Sequence, residues 1–318
     1  MKRTLLTMLS LCIALLSFGQ TDWSKVDFTN EYKGKVKIGG AASKALKENK
    51  TFVNAFTVSQ ATLMKGSETT ATKGVFSEVS LAGIDNDLYQ KMVDELYQSF
   101  IQELEEAGLD ITSGDEFIAS DLVQNNLSKI KKNEIIGPIG NNTMIEGKKK
   151  VTDGSMPGYG AWAVTADVTF FPKNVNVYTN DSYLQVGNFF MKPAPKEKTN
   201  LLSVKYYVAF ASFDEKKGYK DISLATNPVL SVSVNVQLTT VNLSGNEISY
   251  SKMPIWGSSD WSEGILKGKD NRSDAEFLGL ALSADYEITA DPEKYISEVK
   301  AIISNLQKDI ISGIKSSL

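Results

Sequence analysis

Asp85-Asn-Asp-Leu-Tyr-Gln-Lys-Met-Val-Asp-Glu-Leu-Tyr-Gln-Ser-Phe-Ile-Gln-Glu-Leu-Glu-Glu-Ala-Gly108 is the stretch on which the fold of this chain turns. Leu88, Met92, Leu96, Phe100 and Leu104 recur four apart, with Tyr89, Val93, Tyr97 and Ile101 on the neighbouring row. Residues three and four apart share one face of an α-helix, so the two rows make an apolar stripe wide enough to lie across a sheet. Asp85 and Asp87 place oxygens and negative charge at its start, and Gly108 follows as the residue that turns the chain out. The spacing predicts a helix over Asp85–Ala107.

The flanks read as strands. Thr51 to Met64 carries Phe52, Phe56 and Val58 in an alternating, β-rich pattern. Lys65-Gly-Ser-Glu68 breaks it, and Gly74 to Ile84 resumes with Val75, Val79 and Leu81. This predicts two strands joined by a polar loop. Lys35 to Gly40 is a short strand candidate inside an otherwise polar, mixed segment. Leu109-Asp-Ile-Thr112 predicts a short strand after the helix, making a strand–helix–strand unit. Gly114-Asp115 opens a weaker helix over Glu116–Ile130.

From Lys131 to Gly160 the chain loosens, with Gly137-Pro-Ile-Gly140, Lys148-Lys-Lys150 and Gly154-Ser-Met-Pro-Gly158. A β-rich half follows. Trp162 to Phe170 and Val232 to Leu238 alternate, Leu201 to Phe213 reads as a strand buried on most of both faces, and Leu280 to Thr289 is the last strand. The end is a second amphipathic helix over Asp291–Lys315: an Asp-Pro start, then Tyr295, Val299, Ile302, Ile303, Leu306, Ile310 and Ile314 on one face. Glu293, Glu298 and Asp309 dilute its lysines, which favours docking on a core over lying on a membrane. The expected fold is α+β, a mostly antiparallel sheet packed against helices 85–107 and 291–315. Its parts are an α/β half over 20–135, a loop-rich connection over 136–160 and a β-rich half over 161–318.

The N-terminus gives an address. Lys2 and Arg3 precede the apolar run Leu5 to Leu16, and small residues lead to Gly19-Gln20. This pattern is that of a secretory signal over residues 1–19, too short to span a bilayer comfortably. An exported chain starting near Gln20 is expected, periplasmic or extracellular. Cys12 has Leu11 before it and apolar residues after it, which argues against a lipoprotein. It is the only cysteine, so beyond the signal there is no disulfide, thiol nucleophile or thiolate metal site.

The 318 residues include no histidine. The commonest general base, the usual zinc ligand and every Ser-His or Cys-His arrangement are thereby excluded. With 42% hydrophobic and 23% charged residues, the composition is that of an ordinary folded protein. The formal charge is −4, and losing Lys2 and Arg3 would make it −6, with no footprint for nucleic acid. Gly158-Tyr-Gly160 stands between a loop and a strand, not between a strand and a helix, so it is no dinucleotide fingerprint. Ser-x-x-Lys recurs four times without accompanying motifs. Asp85-Asn-Asp87 has Gln90 where a calcium loop needs glycine, so capping is the better reading. No metal or cofactor is expected.

The suggestive loop is Trp256-Gly-Ser-Ser-Asp260-Trp261-Ser-Glu263. Two tryptophans five apart could stack on a sugar or anchor a partner, with Asp260 between them. They could equally pin a long loop to the core.

Asn54-Ala-Phe-Thr-Val58, then Phe100-Ile-Gln-Glu-Leu104 ending at Gly108, then Val232-Ser-Val-Asn-Val-Gln-Leu238 before Gly245-Asn-Glu247 follow one another in an informative order. A strand, a helix closing on such a glycine and a late strand with a glycine-acid turn resemble the periplasmic α/β domain of the curli-secretion-channel family. The resemblance covers about half of the chain. It lacks that family's lipoprotein cysteine and membrane hairpin and transfers no functional residue. It implies an envelope scaffold or assembly component. The functional expectation is a non-catalytic cell-envelope protein acting by protein binding or self-assembly. A carbohydrate- or apolar-ligand module built on Trp256, Asp260 and Trp261 is the alternative, and a carboxylate-dependent hydrolase stands third.

Overall fold

A computed structural model of the chain describes residues 37–69, 74–127, 144–146, 152–155, 161–173, 193–217, 222–241, 248–249, 255–267 and 281–318. The signal segment 1–19 and most of the 136–160 connection lie outside the described residues. In chain order the first half comprises β1 (Lys37–Ile38), α1 (Gly40–Glu48), β2 (Lys50–Thr69), β3 (Gly74–Ala82), α2 (Asn86–Glu106), α3 (Gly114–Ala119) and α4 (Asp121–Leu127). The strands β4 (Met144–Glu146), β5 (Thr152–Ser155), β6 (Ala161–Phe170), β7 (Thr199–Lys217) and β8 (Ile222–Thr239) follow. The chain closes with β9 (Ile248–Ser249), β10 (Ile255–Trp256), β11 (Ser262–Lys267), β12 (Ala281–Ala290) and α5 (Pro292–Ser317).

The fold is α+β. Ten strands form one sheet in the order β10-β8-β7-β2-β3-β12-β11, with β6 also on β2 and with β4 and β5 on β6; β1 and β9 pair separately. The expectation of a mostly antiparallel sheet is corrected here. The sheet is mixed, because β2 runs parallel to β7 and β3 parallel to β12. Alternation within a strand fixes which side chains share a face but leaves the partner's direction open. Both parallel partners come from more than a hundred residues downstream, joined by connections long enough to cross over.

The strand β2 organises the sheet. Val58 to Gln60 pair with both β7 and β6, whereas Leu63 to Ser67 pair with both β3 and β6. One edge of β2 therefore passes from β7 to β3 between Gln60 and Leu63, while β6 holds the other edge throughout. Register shifts fall at this hand-over, and such bulges bend a strand. Beyond it, the far half of the β7–β8 pair lies over β2 and β3. Phe213 covers Gly66, and the Ser77 and Thr226 hydroxyls hydrogen-bond at 2.6 Å.

One face of the sheet carries α2 and α5. Asp85 caps α2 by accepting from the Asp87 and Leu88 amides, and Asp291 caps α5 by accepting from those of Glu293 and Lys294. Both helices match their predicted spans within two residues. The stripe does what its width implies: Phe56 of β2 packs against Tyr97, Phe100 and Tyr206, with ring centroids 5.4–5.8 Å apart. Burying each such side chain contributes about 1.5–3 kcal/mol, far more than helix propensity supplies. A polar node is embedded in this core. Tyr89 and Tyr295 both donate to Gln60 Oε1, at 3.1 and 2.8 Å, while Gln60 Nε2 donates to the Ala61 carbonyl at 2.8 Å.

Four elements differ from expectation. Lys65 to Glu68, expected to break the strand, continue β2 and pair with β3. The helix α1 went unforeseen because its buried stripe is only Ala42, Ala45 and Leu46, two of them barely apolar. The Leu109–Thr112 strand is reduced to a single parallel bridge between Thr51 and Ile111. The helix expected over Glu116–Ile130 is two short ones, α3 and α4, broken at the extended Ser120. They cover the start of the opposite sheet face, where Phe117 stacks on Phe52 at 4.8 Å.

Candidate functional site

Past that cover the outer face of the sheet turns polar. Alternation on β2 sends Phe56, Val58 and Gln60 to the helices and leaves Thr57 and Ser59 on the outer side. The pairings then align one row across four strands: Thr169 of β6, Ser59 of β2, Tyr207 of β7 and Ser233 of β8. An adjacent row runs Thr57, Lys205, Asn235. Asp167 stands diagonally opposite Lys205, beside Ala61. Together these side chains line a hollow of about 350 Å³.

Thr57 and Thr169 are buried, with Ser59 Oγ and Thr169 Oγ1 2.8 Å apart, and Asn235 is exposed at the rim. Asp167, Lys205 and Tyr207 are half-buried. Burial pushes the Asp167 carboxyl above its ordinary range, partly opposed by a hydrogen bond to its own backbone. Burial pushes the Lys205 ammonium down. The Tyr207 phenol is driven well up, first by burial and then by the charge of Asp167, which places those two groups near each other. The Tyr207 hydroxyl has no hydrogen-bond partner among the described residues. A buried hydroxyl is seldom left so, and a protein group or an ordered water is the usual partner. Each charged group is thus short of hydration in a site already supplied with hydroxyls.

These residues were missed at the level of sequence, although a signal was there. Lys205 is the one charge inside Leu201 to Phe213, and Asp167 the one charge inside Trp162 to Phe170. A lone charge within a strand of that apolarity marks the face that does not pack into the core.

The tryptophan loop lies elsewhere, on the helix side. Trp261 is fully buried: its indole N–H donates to the Ser258 carbonyl at 3.0 Å, and its ring meets Tyr295 edge-on at 4.9 Å. No face of it is open to a sugar or partner, so at this residue the loop is pinned. The backbone of Trp256 pairs with Ser231, and Asp260 is exposed. Trp261 therefore offers no stacking face beside the exposed Asp260.

The same loop holds a buried acid. Glu298 of α5 accepts from the Ser258 amide and, at 2.7 Å, from the Ser258 hydroxyl. Burial raises its pKa more than these bonds lower it, and Asp260 adds to the rise. A carboxyl raised in the folded state stabilises the fold below its unfolded pKa and loses that contribution as pH rises through its folded value. Glu298→Gln keeps an acceptor for the amide without the charge. The substitution is expected to raise the melting temperature at pH 7, leave it unchanged near pH 4, and flatten the melting profile between those limits.

Among the described residues no group of three His, Cys, Asp or Glu could hold a metal ion, and no helix is long and apolar enough to cross a membrane. Comparison with protein-family models, curated proteins and solved structures finds no match to this chain.

Proposed function

We propose that this chain is an exported cell-envelope protein that acts by binding rather than turnover, through the hollow on the outer face of β2, β6, β7 and β8. The observation that carries the reading is that Asp167, Lys205 and Tyr207, all half-buried, line one concavity within the size range of ligand sites. Asp167 is the only carboxylate among the described residues lining it, so the acid pair of a hydrolase has one member here. The signal-like first nineteen residues support export, and the resemblance to the curli-secretion-channel family supports the envelope.

Ligand binding fits this geometry better than assembly with a protein. The large apolar side chains exposed among the described residues, Phe76, Leu88, Leu122, Ile265 and Leu266, are spread over β3, α2, α4 and β11. Singly scattered apolar residues are ordinary surface, whereas a protein-docking patch is contiguous.

The test is a thermal-shift screen of the full chain without its first nineteen residues against saccharides, amino acids, phosphate and fatty acids. At least one class is expected to raise the melting temperature, and Ser233→Trp, which fills the hollow, to abolish the rise. A panel in which nothing binds the wild type would sink the reading. Fractionation of cells making the whole chain should place the product outside the cytoplasm, beginning near Gln20.

A further inference from the structure

We infer that the hollow takes a neutral, hydroxyl-rich ligand, a mono- or disaccharide, seated between Asp167 and Tyr207 at one corner and Lys205 and Asn235 at the other. This deepens the binding reading above and rests on it.

Four ligand chemistries meet the same wall differently. A free anion would find Lys205 but face Asp167 in a site that already disfavours charge, and a cation would meet the reverse. A zwitterionic amino acid needs a cation and an anion placed to match its own two closely spaced ends. Asp167 and Lys205 lie two strands and four residues apart by register. That is about 10 Å across and 13 Å along the sheet, or roughly 16 Å between Cα atoms. Their strand positions thus do not set the two charges side by side, as those ends require. An apolar ligand would strip water from five hydroxyl side chains and return nothing to them.

A saccharide suits each feature. Ser, Thr and Tyr hydroxyls both donate and accept, as sugar hydroxyls do, so either partner can adjust to the other. The carboxylate of Asp167 can accept from ring hydroxyls, while Lys205 and Asn235 can donate to ring or hydroxyl oxygens. These contacts hydrate both charged side chains without adding a third charge. A volume of about 350 Å³ is at the small end of ligand sites, in keeping with one or two rings. The Tyr207 hydroxyl, which has no partner among the described residues, would acquire one.

That last point makes a discriminating variant. Among the described residues the hydroxyl of Tyr207 makes no hydrogen bond that its loss would break. Tyr207→Phe is therefore expected to melt no lower than wild type while binding sugar about three- to tenfold more weakly. A merely structural tyrosine would give the opposite split.

The experiment is calorimetric titration of the full chain lacking residues 1–19 with glucose, galactose, N-acetylglucosamine, cellobiose, glycine, diglycine, phosphate and octanoate. At least one sugar is expected to bind wild type and the exposed-site control Leu266→Ser equally, Tyr207→Phe more weakly, and Ser233→Trp not at all. Should glycine, diglycine, phosphate or octanoate bind the hollow while every sugar fails, the saccharide assignment is wrong and the binding reading survives. If no probe binds, both fall. Sugar affinity unchanged in Tyr207→Phe would remove the assignment even if Ser233→Trp proved unfolded.

Discussion

Trp261→Ala is expected to destabilise the folded chain by about 3–5 kcal/mol, the range for deleting a large buried aromatic. In a chain of this size that lowers the melting temperature by on the order of 10 °C. Two losses contribute, and they are unequal. The indole N–H leaves the Ser258 carbonyl, but that carbonyl also accepts from the Leu230 amide at 3.2 Å and so keeps a partner. The void left against Tyr295 costs more, because the hydroxyl of that tyrosine is fixed on Gln60 and its ring cannot follow freely. Trp261→Phe retains most of the packing and is expected to lose less than half as much. Urea denaturation followed by far-UV circular dichroism measures both. Because the loop and the hollow lie on opposite faces of the sheet, a folded Trp261→Ala protein should bind in the hollow as wild type does. A Trp261→Ala protein within about 0.5 kcal/mol of wild type, the range of ordinary surface changes, would show that the loop is not pinned by this residue.

What could be read from the sequence follows from how local each determinant is. The helix α2 needed only its own residues: the four-residue spacing of Leu88 to Leu104 and an aspartate at the cap. The helix α5 was equally self-contained, with Asp291-Pro292 fixing its start. In β2 the register shift between Val53 and Ala55 turns Phe52 to the face opposite Phe56, but the faces of β6 and β8 were legible too, since alternation states which side chains go together. Partner choice was not, because the pairing of Thr57 with Lys205, and of Ser59 with both Thr169 and Tyr207, joins segments separated by more than a hundred residues. The hollow exists only through those pairings. Its members are ordinary residues that no spacing brings together, whereas Trp256 and Trp261 attracted attention by being close in sequence and unusual in kind. Trp261 is conspicuous for a structural reason: a wide indole fills the space between a loop and α5 and still satisfies its N–H.

Gly66 carries the second large expectation. It lies in β2 just beyond the hand-over from β7 to β3, where the far half of the β7–β8 pair lies on the sheet. A Cβ at this position would overlap the Phe213 ring at Cγ and Cδ1 and come within 2.9 Å of Phe213 Cβ. The Phe213 Cβ is fixed to the backbone of β7, so rotating the ring does not clear the space. Gly66 pairs with Ser77 on one side and Trp162 on the other, so β2 cannot move aside without disturbing two neighbours. Gly66→Ala should therefore lose about 1–3 kcal/mol by overpacking, and Gly66→Val more. If the collision is the cause, shrinking the opposing residue must relieve it. Phe213→Ala alone leaves a void in the core, yet Gly66→Ala combined with Phe213→Ala is expected to fall short of the summed losses by about 0.5–3 kcal/mol, the coupling of residues in contact. Additive losses would mean that the β7–β8 pair does not close over β2. In that case limited proteolysis should already cut wild type between Ala211 and Asp214 or between Ala225 and Leu230, stretches expected to resist cleavage while Phe213 covers Gly66.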